Sequence, residues 1–560
     1  MMKLEGGFIQ NLGRVYGIYT LGFLGFVILM AILEQAGVPA RYIGYMFVGF
    51  TIAIYALIGV LSRTMQSNEY YVAGRQVPAV FNGMATAADW MSGASFIAMA
   101  GGIYLRGYPY MAFLVGWTGG YVLVASLLAP YLRKFGCYTV PDFIGTRYGG
   151  NLARLCAVII LVVASFTYVT AQITGTGIVA SRALDIPFEV GVWFGLAGIL
   201  VCSMLGGMKS VTWTQVAQYI VLIIAYLLPV FWMSNKLDYG LIPQFAQFDA
   251  VLRVQELEAL HQVGELKPTA EAAAQAKGLA ALSVGINDAS ETLMAKWKFF
   301  TLVLCMMAGT ASLPHVLMRY FTTPSVKAAR QSVGWSLVFI FLLYFTAPAL
   351  ATFTKLSILD PNLATGIIGK SIADANALDW VKNWSSVGFV KIIDGNGDGI
   401  LQINEFFMKG DIVVLATPEI AGLPYVISGL VAAGGLAAAM STADGLLLAI
   451  ANALSHDLYY KIIDPKADTK TASRRGAYPA SRCRCGGRLC GVGQADRDPR
   501  CRGVGILLRQ LRPVLPAGAW CLVEACEPCR CGCRHDRWLR RRCLVPVHGA
   551  VRWHDTVAWS

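Results

Sequence analysis

Charge is what this 560-residue chain has least of. Only 14% of its residues are Asp, Glu, Lys or Arg, against 56% hydrophobic, and an ordinary soluble domain carries about a quarter charged residues. A water-soluble enzyme core is thereby excluded. The chain also lacks a P-loop, a G-x-G-x-x-G after a strand, and H-E-x-x-H, so nothing in it points to ATP hydrolysis, dinucleotide binding or zinc proteolysis. Up to residue 470 there are only 4 of the 14 cysteines, and 29 basic residues stand against 27 acidic ones. The formal net charge of +13 is therefore no nucleic-acid signal. Most of it lies after residue 470, where 17 Arg, no Lys and 10 Cys occur.

What is present is a series of long apolar runs. A helix needs about 20 mostly apolar residues to cross the hydrocarbon core. Ten runs qualify: Val15–Leu33, Tyr42–Ser62, Val80–Tyr104, Met111–Leu132, Ala153–Ser181, Phe188–Gly207, Trp213–Ser234, Trp297–Met318, Ser332–Thr354 and Leu423–Ser455. Val15–Leu33 is long for a signal-peptide core and lacks an A-x-A site before Tyr42. The expected fold class is an all-α polytopic membrane protein. With the amino terminus in the cytoplasm, 15 Lys and Arg fall on inside segments and only Arg41, Arg106 and Arg182 on short outside loops, as the positive-inside rule requires.

Two spans carry polar chemistry. In the third, Asp89 sits among Asn82, Ser92 and Gly93. An intramembrane carboxylate needs a partner or water, and glycine lets a helix break and expose carbonyls. A polar packing patch is the plain alternative for that span. In the tenth, Ser441 and Thr442 follow Ala438 by one turn. These are hard oxygen donors suited to an alkali cation, although such a pair taken alone usually back-bonds to its own helix.

Four segments together, Asn82–Phe96, Gly206–Gln215, Gly309–Arg319 and Ala432–Leu458, resemble the sodium:solute symporter family and, within it, the acetate permease (cation/acetate symporter) branch. The likeness covers about Tyr42 to Tyr460. It implies a LeuT-type core of two inverted repeats, with Na⁺ and solute near the midplane at broken helices. It assigns sodium to the carbonyls of Ala88, Met91 and Ala438 and the hydroxyls of Ser441 and Thr442. The solute, a small monocarboxylate such as acetate, would lie among Trp90, Ser92, Gly93, Gln172 and Thr310. Asp89 is the coupling candidate, offset by one residue from the aspartate of the related proline permeases, which aligns with Trp90. His315, after Pro314, is expected to shape a kink or gate.

On this reading residues 1–41 add an amino-terminal helix. Residues 42–234 hold transporter helices including the first repeat, 297–354 and 423–460 hold further ones, and 235–296 and 355–422 are extracytoplasmic loops. The protein would be a multi-pass cell (inner) membrane symporter touching lipid and a carboxylate solute, with no nucleic-acid partner and room for a small membrane subunit. The competing readings are a sensor of symporter-like fold, for which no kinase module is visible, and a truncated, inactive symporter.

A separate signal lies in the second long loop. Asp394, Asn396, Asp398, Gly399 and Glu405 occupy every fixed position of D-x-[DN]-x-[DN]-G-x₅-E, with the Ile400 carbonyl in the seventh place. That is an EF-hand-like Ca²⁺ loop, and an accidental Asp/Asn/Gly turn is the alternative. Finally, residues 471–560 contain no spanning run. Arginine without lysine, amid Cys, Gly and Pro, is what a GC-rich gene yields out of frame. The expectation is a frameshift near 471–480 that leaves the second repeat incomplete, against a Cys-rich domain as the other reading.

Overall fold

The computed structural model describes residues 8–463 apart from 65, 204–205, 264, 277–278, 283–284 and 287–292. The Arg/Cys-rich segment 471–560 lies outside the described residues. Helices α1 (Leu12–Gln35), α2 (Ala40–Leu61) and a short α3 (Ser67–Val72) lead the chain. Next come α4 (Ala79–Trp90) and α5 (Met99–Arg106), two pieces of one interrupted helix linked through a π-helical turn at Ala94–Ala98. A second π-helical turn, Val124–Leu128, joins α6 (Met111–Leu123) to α7 (Ala129–Phe135). The first half closes with α8 (Val140–Tyr148), α9 (Asn151–Leu184), α10 (Phe188–Ser203) and α11 (Gly207–Lys236).

The second half repeats the theme of a broken helix. After α12 (Pro243–Leu260) and α13 (Ala270–Gln275), α14 (Leu293–Ala311) and α15 (Pro314–Met318) meet at a 43° bend. Its cause is local: Leu313 takes φ −62°, ψ 115°, because the residue before a proline is pushed out of the helical region. Then follow α16 (Val326–Leu359), the small α17 (Ile372–Ala377) and α18 (Asp379–Ser386), α19 (Val413–Ile420) and α20 (Tyr425–Asn452). The chain continues from α20 as a π-helical stretch, Ala453–Ile463.

Among the described residues seven helices are long and apolar enough to cross a membrane, or eight with the bent α14–α15 pair. The third and sixth expected spans appear as shorter pieces, α4 with α5 and α10, because the first is broken at its centre. The helix from Tyr425 to Ile463 is the axis of the bundle: 94% of its apolar window is buried, against 17% for the first helix. A helix apolar all round belongs inside. Its first amides, on Tyr425 and Val426, donate to the Glu34 carboxylate at 2.6 and 2.8 Å, which satisfies orphan N–H groups at the positive end of the helix.

The segments expected as plain loops carry structure. Helix α12 lies along α16, with Gln244 Nε2 donating to Thr346 Oγ1 at 2.8 Å and His261 Nε2 3.0 Å from Leu359 O. Three short strands form an antiparallel sheet in the order β1 (Ala280–Ala281), β3 (Phe406–Met408), β2 (Val390–Ile392), in which Val390 and Ala280 both pair with Met408. The 393–405 loop is thus the turn of a β-hairpin and does not sit between two helices.

This outer structure closes tightly on α5. A Cβ added to Gly101 would stand 1.9 Å from Gly410 O. Gly101→Ala is therefore expected to destabilise the protein by about 1–3 kcal/mol or more, read as a lowered thermal midpoint in detergent. An unchanged midpoint would show that the two backbones are not in contact.

Candidate functional site: a broken helix facing two hydroxyls

Helix α4 stops because Met91 leaves the helical region at φ −76°, ψ 66°, and the Ser92 amide turns back onto Trp90 O at 2.8 Å. The last carbonyls of α4 are thereby left without their usual helical donors. Helix α20 supplies replacements. Ser441 donates its hydroxyl to Ala88 O at 2.8 Å and to Ala438 O of its own helix at 2.9 Å. Thr442 donates to Asp89 O at 2.9 Å and to Ala438 O at 3.4 Å. Four of the five expected sodium ligands are thus gathered at one point, fully buried. The carbonyl that Thr442 meets is that of Asp89, where the resemblance had put Met91.

The Asp89 side chain points the other way, into an ion pair. Arg319 Nε donates to Asp89 Oδ2 at 2.7 Å, with side-chain exposures of 1% and 0%. Gln215 Nε2 donates to Asp89 Oδ1 at 2.6 Å and to Ser441 O at 2.7 Å. Arg319 also donates to Thr212 Oγ1 at 2.8 Å and to Gln215 Oε1. One network therefore ties α4, α11, α20 and the turn after α15. Gly445 is required beside it, since a Cβ there would meet Asp89 Oδ1 at 2.3 Å. Asp444 is fully buried nearby.

On the far side of the break lies the expected solute region. The Gly93 amide donates to Gln172 Oε1 at 2.8 Å, so Gln172 of α9 does reach the interruption. Trp90 Nε1 donates to Tyr344 OH at 2.9 Å, Ser95 Oγ lies 3.1 Å from the same oxygen, and Tyr121 packs edge-on against Trp90 at 4.9 Å. The Ser92 hydroxyl receives the Ser95 amide at 3.4 Å. Thr310 bonds to Met306 O of its own helix, the structural role that a hydroxyl in a membrane helix ordinarily plays. His315 is buried 5.8 Å from the Tyr168 ring, and neither ring nitrogen has a hydrogen-bond partner among the described residues.

Sequence reasoning missed Tyr344, Ser95, Gln215 and Arg319 as site residues. Arg319 had been counted with the cytoplasmic basic residues. A signal was available: an arginine directly after an apolar span, in a chain with a buried aspartate, is a candidate partner for it.

The loop at 394–405 is closed by its own acidic groups. Asp394 accepts from Gly397 N at 2.6 Å and Gly399 N at 3.2 Å. Asn396 Oδ1 accepts from Asp398 N at 2.9 Å, and Glu405, which is buried, accepts from Gly395 N at 2.8 Å and Gln402 N at 3.1 Å. Gly397 and Gly399 adopt φ +76° and +72°. The Ile400 amide, helped by Asn396 and Gln402, holds the exposed Asp398 below the usual carboxylate range.

The sodium:solute symporter family model matches residues 70–376. The chain belongs to the sodium:solute symporter family. It is 44% identical over 551 residues to an uncharacterized symporter of Cupriavidus necator, covering 83% of this chain and 79% of that protein. It is 30% identical over 321 residues to a protein of Corynebacterium glutamicum named a monocarboxylic acid transporter, over 56% of this chain and 55% of the relative. Among solved structures, a Na⁺-coupled sialic acid symporter in a substrate-bound outward-open state superposes with a TM-score of 0.55 at 15% identity, covering 78% of each chain. That likeness is one of fold: the LeuT-type arrangement. As a symporter of this family the chain is a multi-pass membrane transporter and not an enzyme.

Removing one partner of a buried ion pair costs about 3–5 kcal/mol, whereas replacing both by neutral groups is close to neutral. Arg319→Met is accordingly expected to lower the thermal midpoint sharply, and Arg319→Met with Asp89→Asn to recover most of the loss. Additive losses in the double variant would refute the pairing.

Proposed function

We propose that this symporter uses Na⁺ to import a small monocarboxylate such as acetate across the cell (inner) membrane, with its amino terminus in the cytoplasm. The observation that carries the sodium assignment is the contact of the Ser441 and Thr442 hydroxyls, midway along α20, with the Ala88 and Asp89 carbonyls at the end of α4. Each hydroxyl now donates to a carbonyl. An entering Na⁺ takes the place of both hydrogen bonds: the hydroxyls keep their protons, rotate and offer lone pairs, and the carbonyls of Ala88 and Ala438 face the ion, with Met91 or Asp89 completing the cage. Hard oxygen donors suit an alkali cation, and no thiolate or imidazole is needed.

Coupling follows from position. The same interruption presents carbonyls to the ion on one side and the Gly93 amide, Ser92 and Trp90 to the solute on the other. An anionic carboxylate is favoured where amides and hydroxyls converge at the start of a half-helix. Tyr344 and Ser95 add hydroxyls there, while Gln172 holds the Gly93 amide until solute displaces it. The monocarboxylate class is supported by the chemistry of these donors and by the naming of the Corynebacterium relative. We further hold that residues 471–560 are read out of frame, which resequencing the locus would settle.

Sodium-dependent uptake of labelled acetate, pyruvate and proline into vesicles tests this reading. In the frame-corrected chain, Ser441→Ala with Thr442→Ala is expected to raise the Na⁺ concentration for half-maximal uptake at least tenfold. An unchanged Na⁺ dependence removes these hydroxyls from the site. Carboxylate uptake driven by a pH gradient without Na⁺ would overturn sodium coupling.

For the 394–405 loop we propose Ca²⁺ bound by Asp394, Asn396, Asp398, Ile400 O and Glu405, stiffening the hairpin over the extracellular entrance at an affinity of about 10⁻⁴–10⁻³ M. Calcium is expected to raise the thermal midpoint at neutral pH. The gain should fade in acid, as protonation of the loop carboxylates competes with the ion. Glu405→Gln should abolish the gain, and its persistence in that variant would exclude the loop.

A further inference from the structure

At the opposite end of α20 from Glu34 lies a second polar cluster, remote from the broken helix. Thr139 caps α8, accepting the Asp142 amide at 3.1 Å, and its hydroxyl donates to Asp457 Oδ2 at 2.7 Å. His456 Nδ1 stands 3.3 Å from Asp457 Oδ1. One donor atom each from Asp142, His456 and Asp457 lies within 4.8 Å of the others, and all three residues are buried, at 7%, 5% and 0% exposure.

Asp142 is paired with Arg154 at 3.2 Å, whereas Asp457 meets only a hydroxyl and an imidazole, with no guanidinium or ammonium group at salt-bridge distance among the described residues. A buried carboxylate held in this way is one that a bound cation stabilises. The imidazole is fixed in orientation by the Tyr71 and Tyr138 rings, 5.5 and 5.3 Å away. His456 and Asp457 also belong to the π-helical continuation of α20, a winding that recurs at functional sites.

We propose that Asp142, His456 and Asp457 form a site for a divalent first-row transition cation. Two carboxylate oxygens and one imidazole nitrogen are a donor set for Mn²⁺, Fe²⁺ or Zn²⁺. The ion is held by the carboxylates of both elements and clamps α8 to the end of the helix that carries Ser441 and Thr442. This site stands independently of the sodium reading, because it shares no residue with it.

The test uses Mn²⁺ added to the purified full-length chain, followed by pulsed electron paramagnetic resonance. Bound Mn²⁺ is expected to show nitrogen modulation from one coordinated imidazole. His456→Ala should remove that signal, and Asp394→Asn, in the hairpin loop, should leave it intact. Asp457→Asn keeps an acceptor for Thr139 and should still weaken Mn²⁺ binding about tenfold or more, so it carries the test if His456→Ala does not fold. Absence of nitrogen modulation in the parent chain, its survival in His456→Ala, or unchanged affinity in Asp457→Asn would each overturn the proposal.

Discussion

A chain buried in lipid has no water to satisfy its main-chain polar groups, so any interruption of a membrane helix must find partners inside the protein. Most of what is distinctive in this structure follows from how that demand is met between Trp90 and Ala94. The carbonyls freed at the end of α4 are taken up by two hydroxyls on α20, and the amide freed at Gly93 is taken up by Gln172 of α9. The break can exist only because α20 lies against it, and α20 can lie there only because it is apolar nearly all round. A cation and an anion are what such freed carbonyls and amides bind best. The local solution for stability thus gathers the same carbonyls and amide on which the proposed ion and solute sites draw.

The Asp89–Arg319 pair holds this arrangement in register. Its two residues lie 230 positions apart, and Gln215 bridges the pair to the Ser441 carbonyl. A buried ion pair of this kind adds little net stability relative to apolar packing. What it supplies is specificity: Asp89 cannot rotate without stranding Arg319, so the carbonyl on the same residue stays aimed at Thr442.

Much of the architecture was legible from composition. Apolar runs of about twenty residues locate helices with soft ends, and Pro314 together with the glycines near Asp89 mark the interruptions. Ser441 and Thr442 stood out because polar groups are rare in such a run. What could not be read was anything that depends on which helices touch. Tyr344 is one tyrosine in a long apolar helix until folding brings it to Trp90 and Ser95. Arg319 counts as one more basic residue at a helix end until Asp89 is seen beside it. The same holds outside the bundle: the spacing of Asp394 to Glu405 was visible, yet its seat in a hairpin between β2 and β3 follows from pairing with a strand at Ala280, more than a hundred residues earlier.

The central claim is that Na⁺ replaces the hydroxyl-to-carbonyl hydrogen bonds between α20 and α4. The most direct measurement is a high-resolution structure of the purified protein determined in sodium and again in choline. The account requires an ion in the sodium structure bounded by Ala88 O, Ala438 O, Ser441 Oγ and Thr442 Oγ1, with the hydroxyls drawn off the carbonyls relative to choline. Identical hydroxyl-to-carbonyl hydrogen bonds in both structures, with sodium bound elsewhere, would contradict it.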